Sequence, residues 1–341
     1  MFLSDKYKLK NLDEIIFNKT VINNYTTRLT NSLQNLILYG YNCSGKKTFI
    51  NILLNNIYGE AYNNVKENEY VINNYGSNIV KIKLSQSKYH LVLNTNNSAI
   101  DKYIIQEILV EFCKKNDQHY FKRNVNYKCV IIYKADHLSQ QAQFALRRVV
   151  EEFSFCRFIL VCKNVCSLIE PIRQRFLELQ FACPNELEQK ILIKNICQKE
   201  NIKIPEETIN AIISKSDRNI KKNLLLLDCY KLNIKYKCNY IIILDSIIGF
   251  IINGIKSTKH LQEIRENLGQ LFITNLESET IIMYLQKILI KKVKDPYKLL
   301  KILEALTNYD IRLKNATRYM LHLEALILTI NDYYHCCDTL T

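Results

Sequence analysis

The stretch Leu36-Ile37-Leu38-Tyr39-Gly40-Tyr41-Asn42-Cys43-Ser44-Gly45-Lys46-Lys47-Thr48 decides how this chain is read. An apolar, β-rich run leads into a glycine-bounded loop, after which Ile50, Leu53, Leu54 and Ile57 recur at helical spacing. Strand, loop and helix in that order let backbone N–H groups and a helix N-terminus face phosphate oxygens. The G-x-x-x-x-G-K string would place Lys46 near the β/γ phosphates, so Gly40, Gly45, Lys46, Lys47 and Thr48 are candidate nucleotide-binding residues. An ordinary βα turn is the alternative. One departure is plain: Lys47 stands where a Ser or Thr hydroxyl ordinarily holds Mg²⁺, and Thr48 comes one residue late.

Outward from this loop the first half of the chain alternates strands and helices. Lys128–Tyr133, Arg157–Cys162 and Phe176–Phe181 are continuous apolar runs of the kind buried on both faces of a parallel sheet. Between the first two, Ala142, Ala145, Leu146, Val149, Val150 and Phe153 share one helix face, with Gln140, Arg147, Arg148, Glu151 and Glu152 opposite. This pattern predicts an α/β domain with a mainly parallel sheet. From about Glu186 the pattern turns helical, with helices near Glu186–Glu200, Pro205–Ser214 and Ile220–Leu232, then a second set from Tyr240 to Cys337. Within that set Asp295-Pro296 reads as an N-cap followed by Pro at the first helical position. The predicted division is an α/β domain over 1–183, a small helical domain over 184–236 and a helical domain over 237–341. The Asn-rich stretch Asn63–Asn78 is expected to form surface loops.

Composition sets limits. The chain has 341 residues with 48% hydrophobic content, enough for two or three packed domains. Only 7 Gly and 4 Pro predict long helices with short connections. The formal charge of +14 fits a polyanionic partner, nucleic acid ahead of a membrane surface, although Lys-rich solvated faces would give the same count. Cys129 and Cys162 lie inside apolar runs and no C-x-x-C pair occurs, so neither a disulfide framework nor a zinc or other metal site is expected. The N-terminus lacks the apolar core of a signal peptide, and the most apolar stretch, Tyr240–Ile252, is too short to span a bilayer. A soluble protein of a reducing, intracellular compartment is expected, with no membrane partner.

Several stretches together resemble one family. Asp5-Lys6-Tyr7, Leu38-Tyr39-Gly40 with Gly45-Lys46-Lys47-Thr48, Ala142-Gln143-Phe144-Ala145-Leu146-Arg147-Arg148, Pro171-Ile172-Arg173-Gln174-Arg175 and His322-Leu323-Glu324-Ala325 resemble the small subunits of replication factor C, the eukaryotic clamp loader. The G-K-K-T form resembles one subunit whose phosphate loop departs from G-K-T in the same way. The resemblance implies a RecA-like AAA+ domain, a helical lid and a helical collar. It further implies assembly with other clamp-loader subunits into a heteropentamer that opens a ring-shaped sliding clamp and places it on primer–template DNA. The site of action would be the nucleus, or a cytoplasmic replication factory if the gene is viral.

The family's motifs transfer unevenly. The second nucleotide motif ends its strand with an Asp that positions Mg²⁺ and a Glu that activates water; here it reads Tyr133-Lys134-Ala135-Asp136, and only Asp136 matches. The polar sensor position falls on Lys163, with Asn164 beside it, and the lid arginine on Lys221, which lacks the bidentate guanidinium fork. The resemblance therefore implies a pocket that holds ATP or ADP without turning it over, and Lys47, Lys134 and Lys163 would offset phosphate charge without Mg²⁺. Arg175 occupies the place of an arginine finger acting in trans, with Arg173 as a secondary guanidinium and with Gln174 and Phe176 as departures. Arg147 and Arg148 match the family's DNA-facing pair, whose alternative is an ion pair with Glu151 or Glu152 at helical spacing. The clamp-facing edge is expected near Ile105–Leu109, a position core packing would also explain. Two other functions compete: an active ATPase in which Asp136 or Thr48 takes over metal duty, and a scaffold in a checkpoint-type loader.

Overall fold

In a computed structural model of the protein, the described residues are 2–9, 11–12, 14–28, 33–59, 62, 64–73, 79–95, 98–114, 127–216, 218–234, 239–255, 257–274, 276, 278–315 and 318–335. Cys337, the expected end of the second helical set, lies outside them, as do residues 74–78 of the Asn-rich stretch. The chain divides into two compact units, Met1–Ile234 and Lys235–Thr341.

The first unit opens with α1 (Leu3–Lys6) and α2 (Lys19–Arg28), followed by β1 (Leu36–Tyr39) and α3 (Lys46–Tyr58). Strands β2 (Lys66–Asn73), β3 (Ile79–Gln86) and β4 (His90–Asn94) follow. A helical segment comprises α4 (Ser98–Tyr103), a π-helical turn (Ile104–Leu109) and α5 (Val110–Lys114). Next come β5 (Lys128–Tyr133), α6 (Gln140–Glu152), β6 (Cys156–Cys162), α7 (Glu170–Arg173) and β7 (Leu177–Gln180). The seven strands form one sheet in the order β2-β3-β4-β5-β6-β1-β7. The β4-β5, β5-β6, β6-β1 and β1-β7 pairs are parallel, and β2-β3 and β3-β4 are antiparallel.

Period two explains why the central strands carry no polar face. Leu36 and Leu38 join Phe49, Ile50 and Leu53 of α3 in one core, while Ile37 joins Ala142, Leu146 and Val149 of α6 in the other. Cys129 and Ile131 of β5 face the α3 side, and Val130 and Ile132 face the α6 side. Helices on both faces bury both sets, at about 1.5–3 kcal/mol for each large apolar side chain. The helix face expected around Ala142 and Phe153 is the buried one, and Ser139 caps its start by accepting from the Ala142 N–H at 3.2 Å.

One expectation is corrected. Asn63–Asn78 is not all loop, because β2 occupies Lys66–Asn73. Among its described side chains this outer strand buries deeply only Ile72 and leaves Lys66–Glu69 exposed, so it shows no apolar alternation along the sequence. Ile105, Ile108 and Leu109 are core residues, and only Gln106 and Glu107 of that turn face outward.

Helices α8 (Glu186–Lys199), α9 (Glu206–Ser216) and α10 (Ile220–Lys231) complete the first unit as a small bundle with its own core around Ile193, Ile196, Ile213 and Leu227. Leu3 inserts into that core, and its N–H donates to Asp228 Oδ2 at 3.0 Å. Nearby, Glu200 accepts from Lys231 at 2.8 Å, Lys6 at 2.5 Å and the Tyr7 hydroxyl at 2.6 Å, which together hold its pKa at about 2. The second unit is helical: α11 (Asn239–Asn253), α12 (Thr258–Ile273), α13 (Ser278–Lys292), α14 (Pro296–Asn315) and α15 (Tyr319–His335). Asp295 caps α14 as its sequence predicts, accepting from the Tyr297 N–H at 3.0 Å. Among the described residues no helix is long and apolar enough to cross a membrane.

Candidate functional site

The loop after β1 has the backbone its glycines demand. Gly40 adopts φ +139°, and a Cβ there would lie 2.1 Å from the Phe181 carbonyl oxygen at the end of β7. Only glycine lets the loop leave the sheet so close to its neighbour. Cys43 at φ 61° and Gly45 at φ 95° then turn the chain into α3, with Gly45 as its N-cap. Nothing lies within 4 Å of a Cβ built on Gly45, so the chain is open to space where it enters α3.

Lys46 is buried, and its ammonium donates to the Gly40 carbonyl, to the Tyr41 carbonyl at 2.7 Å and to Ser44 Oγ at 3.4 Å. Burial lowers its pKa below the ordinary lysine value, against the smaller opposing influence of Cys162, Cys183 and Asp136. Thr48 is half-buried in the first turn of α3, two residues beyond Lys46.

Lys47 and Tyr133 come together across the loop. The Lys47 ammonium stands 4.5 Å from the centroid of the Tyr133 ring, within cation–π range. Burial pushes the Tyr133 phenol up to about 12, so the ring stays neutral and offers only its π face and hydroxyl. At the positions where a phosphate loop would supply a hydroxyl and a carboxylate to Mg²⁺, this chain has an ammonium and a phenol in contact with each other. That donor set does not fit Mg²⁺. Among the described residues no group of three His, Cys, Asp or Glu side chains could hold a metal ion.

The rest of the strand end is tied down by its own polar groups. Lys134 takes a left-handed conformation (φ 56°), and Thr95 at the end of β4 donates to the Tyr133 and Lys134 carbonyls at 3.0 and 2.7 Å. Asp136 Oδ2 accepts from the Lys163 N–H at 3.4 Å, which links the segment after β5 to the residue that follows β6. Asn164 uses its side chain as a local cap, accepting from the Cys166 N–H at 3.0 Å, whereas the Lys163 side chain is exposed. Lys221 lies exposed in the first turn of α10. Thr95 gave no sequence signal, since a buried Thr after a strand has no pattern of its own.

A second group of the residues expected from the sequence gathers at the opposite ends of the strands, where β7 begins. Arg175 Nη2 pairs with Glu151 Oε1 at 2.6 Å, and Nη1 donates to the Pro171 carbonyl at 2.7 Å. The same Glu151 oxygen accepts from Arg147 Nε at 3.0 Å, so the intrahelical alternative for Arg147 is realised. The Arg147 hydrogen bond first, and the Arg175 charge after it, hold the Glu151 pKa below the usual carboxylate value. Arg173 pairs with Glu178 of β7 at 2.8 Å, and Arg148 is exposed. Gln143 is buried: its amide donates to the Leu138 and Ser167 carbonyls at 3.1 Å each and accepts from the Ile169 N–H at 2.8 Å. It fixes the start of α6 to the segment leading into Arg173 and Arg175.

Comparison with known proteins places this geometry in context. No family model matches the chain. A protein of Acanthamoeba polyphaga mimivirus assigned as a replication factor C small subunit is 29% identical over 337 residues, covering 96% of this chain and 90% of that protein. Replication factor C subunit 3 of Arabidopsis thaliana is 28% identical, covering 98% of each, and the human subunit 3 is 26% identical, covering 97% and 95%. Among solved structures, the Thermotoga maritima RuvB Holliday junction branch migration motor aligns at TM-score 0.45 and 17% identity over 77% of this chain and 85% of that one. Over nearly its whole length, this chain is similar to replication factor C small subunits, at 26–29% identity.

Proposed function

We propose that the chain is a small subunit of a replication factor C-type clamp loader, built as an AAA+ domain (1–183), a lid (184–236) and a collar (237–341). Its partners are the other subunits of a heteropentamer, a ring-shaped sliding clamp and primer–template DNA. It acts in the nucleus, or in a viral replication factory. Its own loop, through Gly40, Gly45, Lys46, Lys47 and Thr48 with Asp136, Lys163, Asn164 and Lys221 around it, holds ATP or ADP without Mg²⁺ and does not hydrolyse it. The replacement of both catalytic carboxylates by Tyr133 and Lys134 supports that part. Arg175, with Arg173 behind it, serves the nucleotide of a neighbouring subunit, and Arg147 and Arg148 lie on the helix that meets DNA phosphates.

The observation that carries the trans reading is the place of Arg175 relative to its own loop. Strands β1 and β7 are parallel with Leu36 opposite Leu177. Arg175 precedes β7, whereas Gly40 follows β1, so the two lie at opposite ends of these neighbouring parallel strands. The paired residues Leu36–Tyr39 and Leu177–Gln180, with the turns beyond them, separate those levels by roughly 15–20 Å at about 3.3 Å per strand residue, well beyond the reach of an arginine side chain. Arg175 thus serves a nucleotide on another molecule or none.

The test is Arg175→Ala in the reconstituted complex. A finger stabilises charge that develops in the transition state, so kcat is expected to fall on the order of 10³-fold with a smaller change in KM. Retention of wild-type kcat would overturn the assignment. The isolated chain is expected to hydrolyse ATP no faster than a Lys46→Ala control, and any Lys46-dependent turnover above that control returns the chain to the active ATPases.

A further inference from the structure

The second unit carries a concentration of charge that the function proposed above does not use. Lys287, Lys291, Lys292, Lys294, Lys298 and Lys301 fall within residues 287–301, where Asp295 is the one carboxylate, so this stretch has a net charge of +5. The whole chain has +14, so these fifteen residues hold more than a third of it. Lysines spread evenly over solvated faces would not gather charge in this way.

The six lysines surround the tip of a helical hairpin. Helix α13 ends at Lys292, Val293 is buried beneath the turn, and α14 starts at Pro296 and packs back against α13. Lys287, Lys291, Lys292 and Lys294 are exposed, and Lys298 and Lys301 are half-buried. Among the described residues none of the six forms an ion pair with a carboxylate. Asp295 is engaged as the cap of α14. The negative end of the α13 dipole favours Lys291 and Lys292. Lys287 lies a full turn further in, at the i,i+4 spacing from Lys291 at which like charges repel. Lys298 stands in the first turn of α14, the end at which a helix dipole disfavours a cation. Helix stability thus accounts for two of these lysines and opposes two others. A polyanion laid over the tip relieves the repulsion.

Phosphate suits these cations better than carboxylate. Residues 287–301 contain no arginine, so the tip offers point charges without the planar fork that matches a carboxylate. An aromatic ring stands among them: Tyr297 is 62% exposed, with the Lys301 ammonium 4.6 Å from its centroid. A basic surface with an exposed ring is the arrangement that holds a single strand, whose backbone follows the charges while a base stacks on the ring. In a duplex the bases are already stacked on one another and offer no free face.

We propose that the tip of the α13–α14 hairpin binds single-stranded DNA, with Lys287, Lys291, Lys294 and Lys298 on its phosphates and Tyr297 stacked on a base. The site belongs wholly to the second unit and does not rest on the clamp-loader reading.

The experiment is fluorescence anisotropy of labelled oligothymidylate with the full chain carrying Arg147→Gln and Arg148→Gln, so that any binding at α6 is not read. Lys291→Gln with Lys294→Gln, both exposed positions, is expected to weaken binding roughly tenfold at low salt and to lower the slope of log affinity against log salt by about 1.4. Tyr297→Ala should weaken it about fivefold or more, and Tyr297→Phe should retain it. A duplex of the same length should show no dependence on Tyr297. Unchanged affinity and slope in the double lysine variant overturn the proposal, as does an absence of binding in the starting chain. Equal losses on single strand and duplex, with Tyr297→Ala neutral, overturn the single-strand assignment. Displacement of the oligonucleotide by polyglutamate of equal charge, or tighter lysine-dependent binding to phosphatidylserine vesicles, also overturns it and assigns the tip to an acidic protein or a membrane surface.

Discussion

The proposed replacement of Mg²⁺ by an ammonium has a measurable consequence. If the Lys47 side chain, resting 4.5 Å from the Tyr133 ring, supplies the charge that Mg²⁺ would otherwise bring, nucleotide should stabilise the protein equally in Mg²⁺ and in EDTA. At a ligand concentration a hundred times Kd, binding stabilises the native state by about 2.7 kcal/mol. For a unit the size of Met1–Ile234 each kcal/mol moves the melting temperature by about 2–4 °C, so ADP should raise it by about 5–10 °C. Lys47→Ala removes a charge-assisted contact worth about 1.5–3 kcal/mol, a loss of about 10- to 150-fold in affinity. At the same ADP concentration the shift should then shrink to about half or less. The cation–π contact itself, at about 0.5–1 kcal/mol for an exposed cation, changes the unliganded melting temperature by a few degrees at most. Scanning calorimetry with ADP and with ATP, in Mg²⁺ and in excess EDTA, reads all four conditions. The paired change Lys47→Thr with Tyr133→Asp should restore a hydroxyl and a carboxylate, and with them a requirement for Mg²⁺. A wild-type shift that appears only with Mg²⁺ refutes the reasoning and makes Thr48 or Asp136 a ligand. An unchanged shift in Lys47→Ala refutes the role of Lys47.

Gly40→Ala should destabilise the first unit by about 3 kcal/mol or more, because the φ +139° backbone is strained for alanine and the new Cβ meets the Phe181 carbonyl, next to the Phe181 N–H bond to Tyr39 at 2.8 Å. Gly45→Ala, at φ +95° but with nothing within 4 Å, should cost less than half as much in urea unfolding; equal losses would show that conformational strain alone decides both. Asp101 on α4 is buried with Oδ2 lacking a hydrogen-bond partner, and burial raises its pKa from 3.8 to about 6 against the weaker pull of His137. A raised carboxylate pKa means that the folded state holds the proton more tightly than the unfolded one, so stability from this group is full below about pH 3.8 and is lost as pH rises through about 6, by at most about 3 kcal/mol. Unfolding of wild type and Asp101→Asn at pH 4 and pH 7.5 checks this, the variant losing less over the interval; a larger or equal loss in the variant contradicts the assignment.

The sequence by itself determined whatever local pattern or side-chain identity can carry. Leu36–Tyr39, Lys128–Tyr133 and Arg157–Cys162 are continuous apolar runs because helices cover both faces of the sheet there, and the Ala142–Phe153 face repeats with the helical period. The absence of catalytic carboxylates at Tyr133 and Lys134 is likewise a matter of identity, legible without coordinates. The outer strand β2 escaped because an edge strand with one deeply buried side chain shows no alternation. Only the tertiary structure decided which distant side chains meet. Lys47 rests on Tyr133 because β1 and β5 flank β6 in parallel register and their C-terminal ends lie together. Arg175 shares Glu151 with Arg147 because β1, β6 and β7 begin side by side at the opposite ends of the strands. These meetings depend on strand order and register. Both arise from long-range packing of apolar faces, to which the polar residues at the strand ends contribute little, and so those residues leave no mark of their partners in the local sequence.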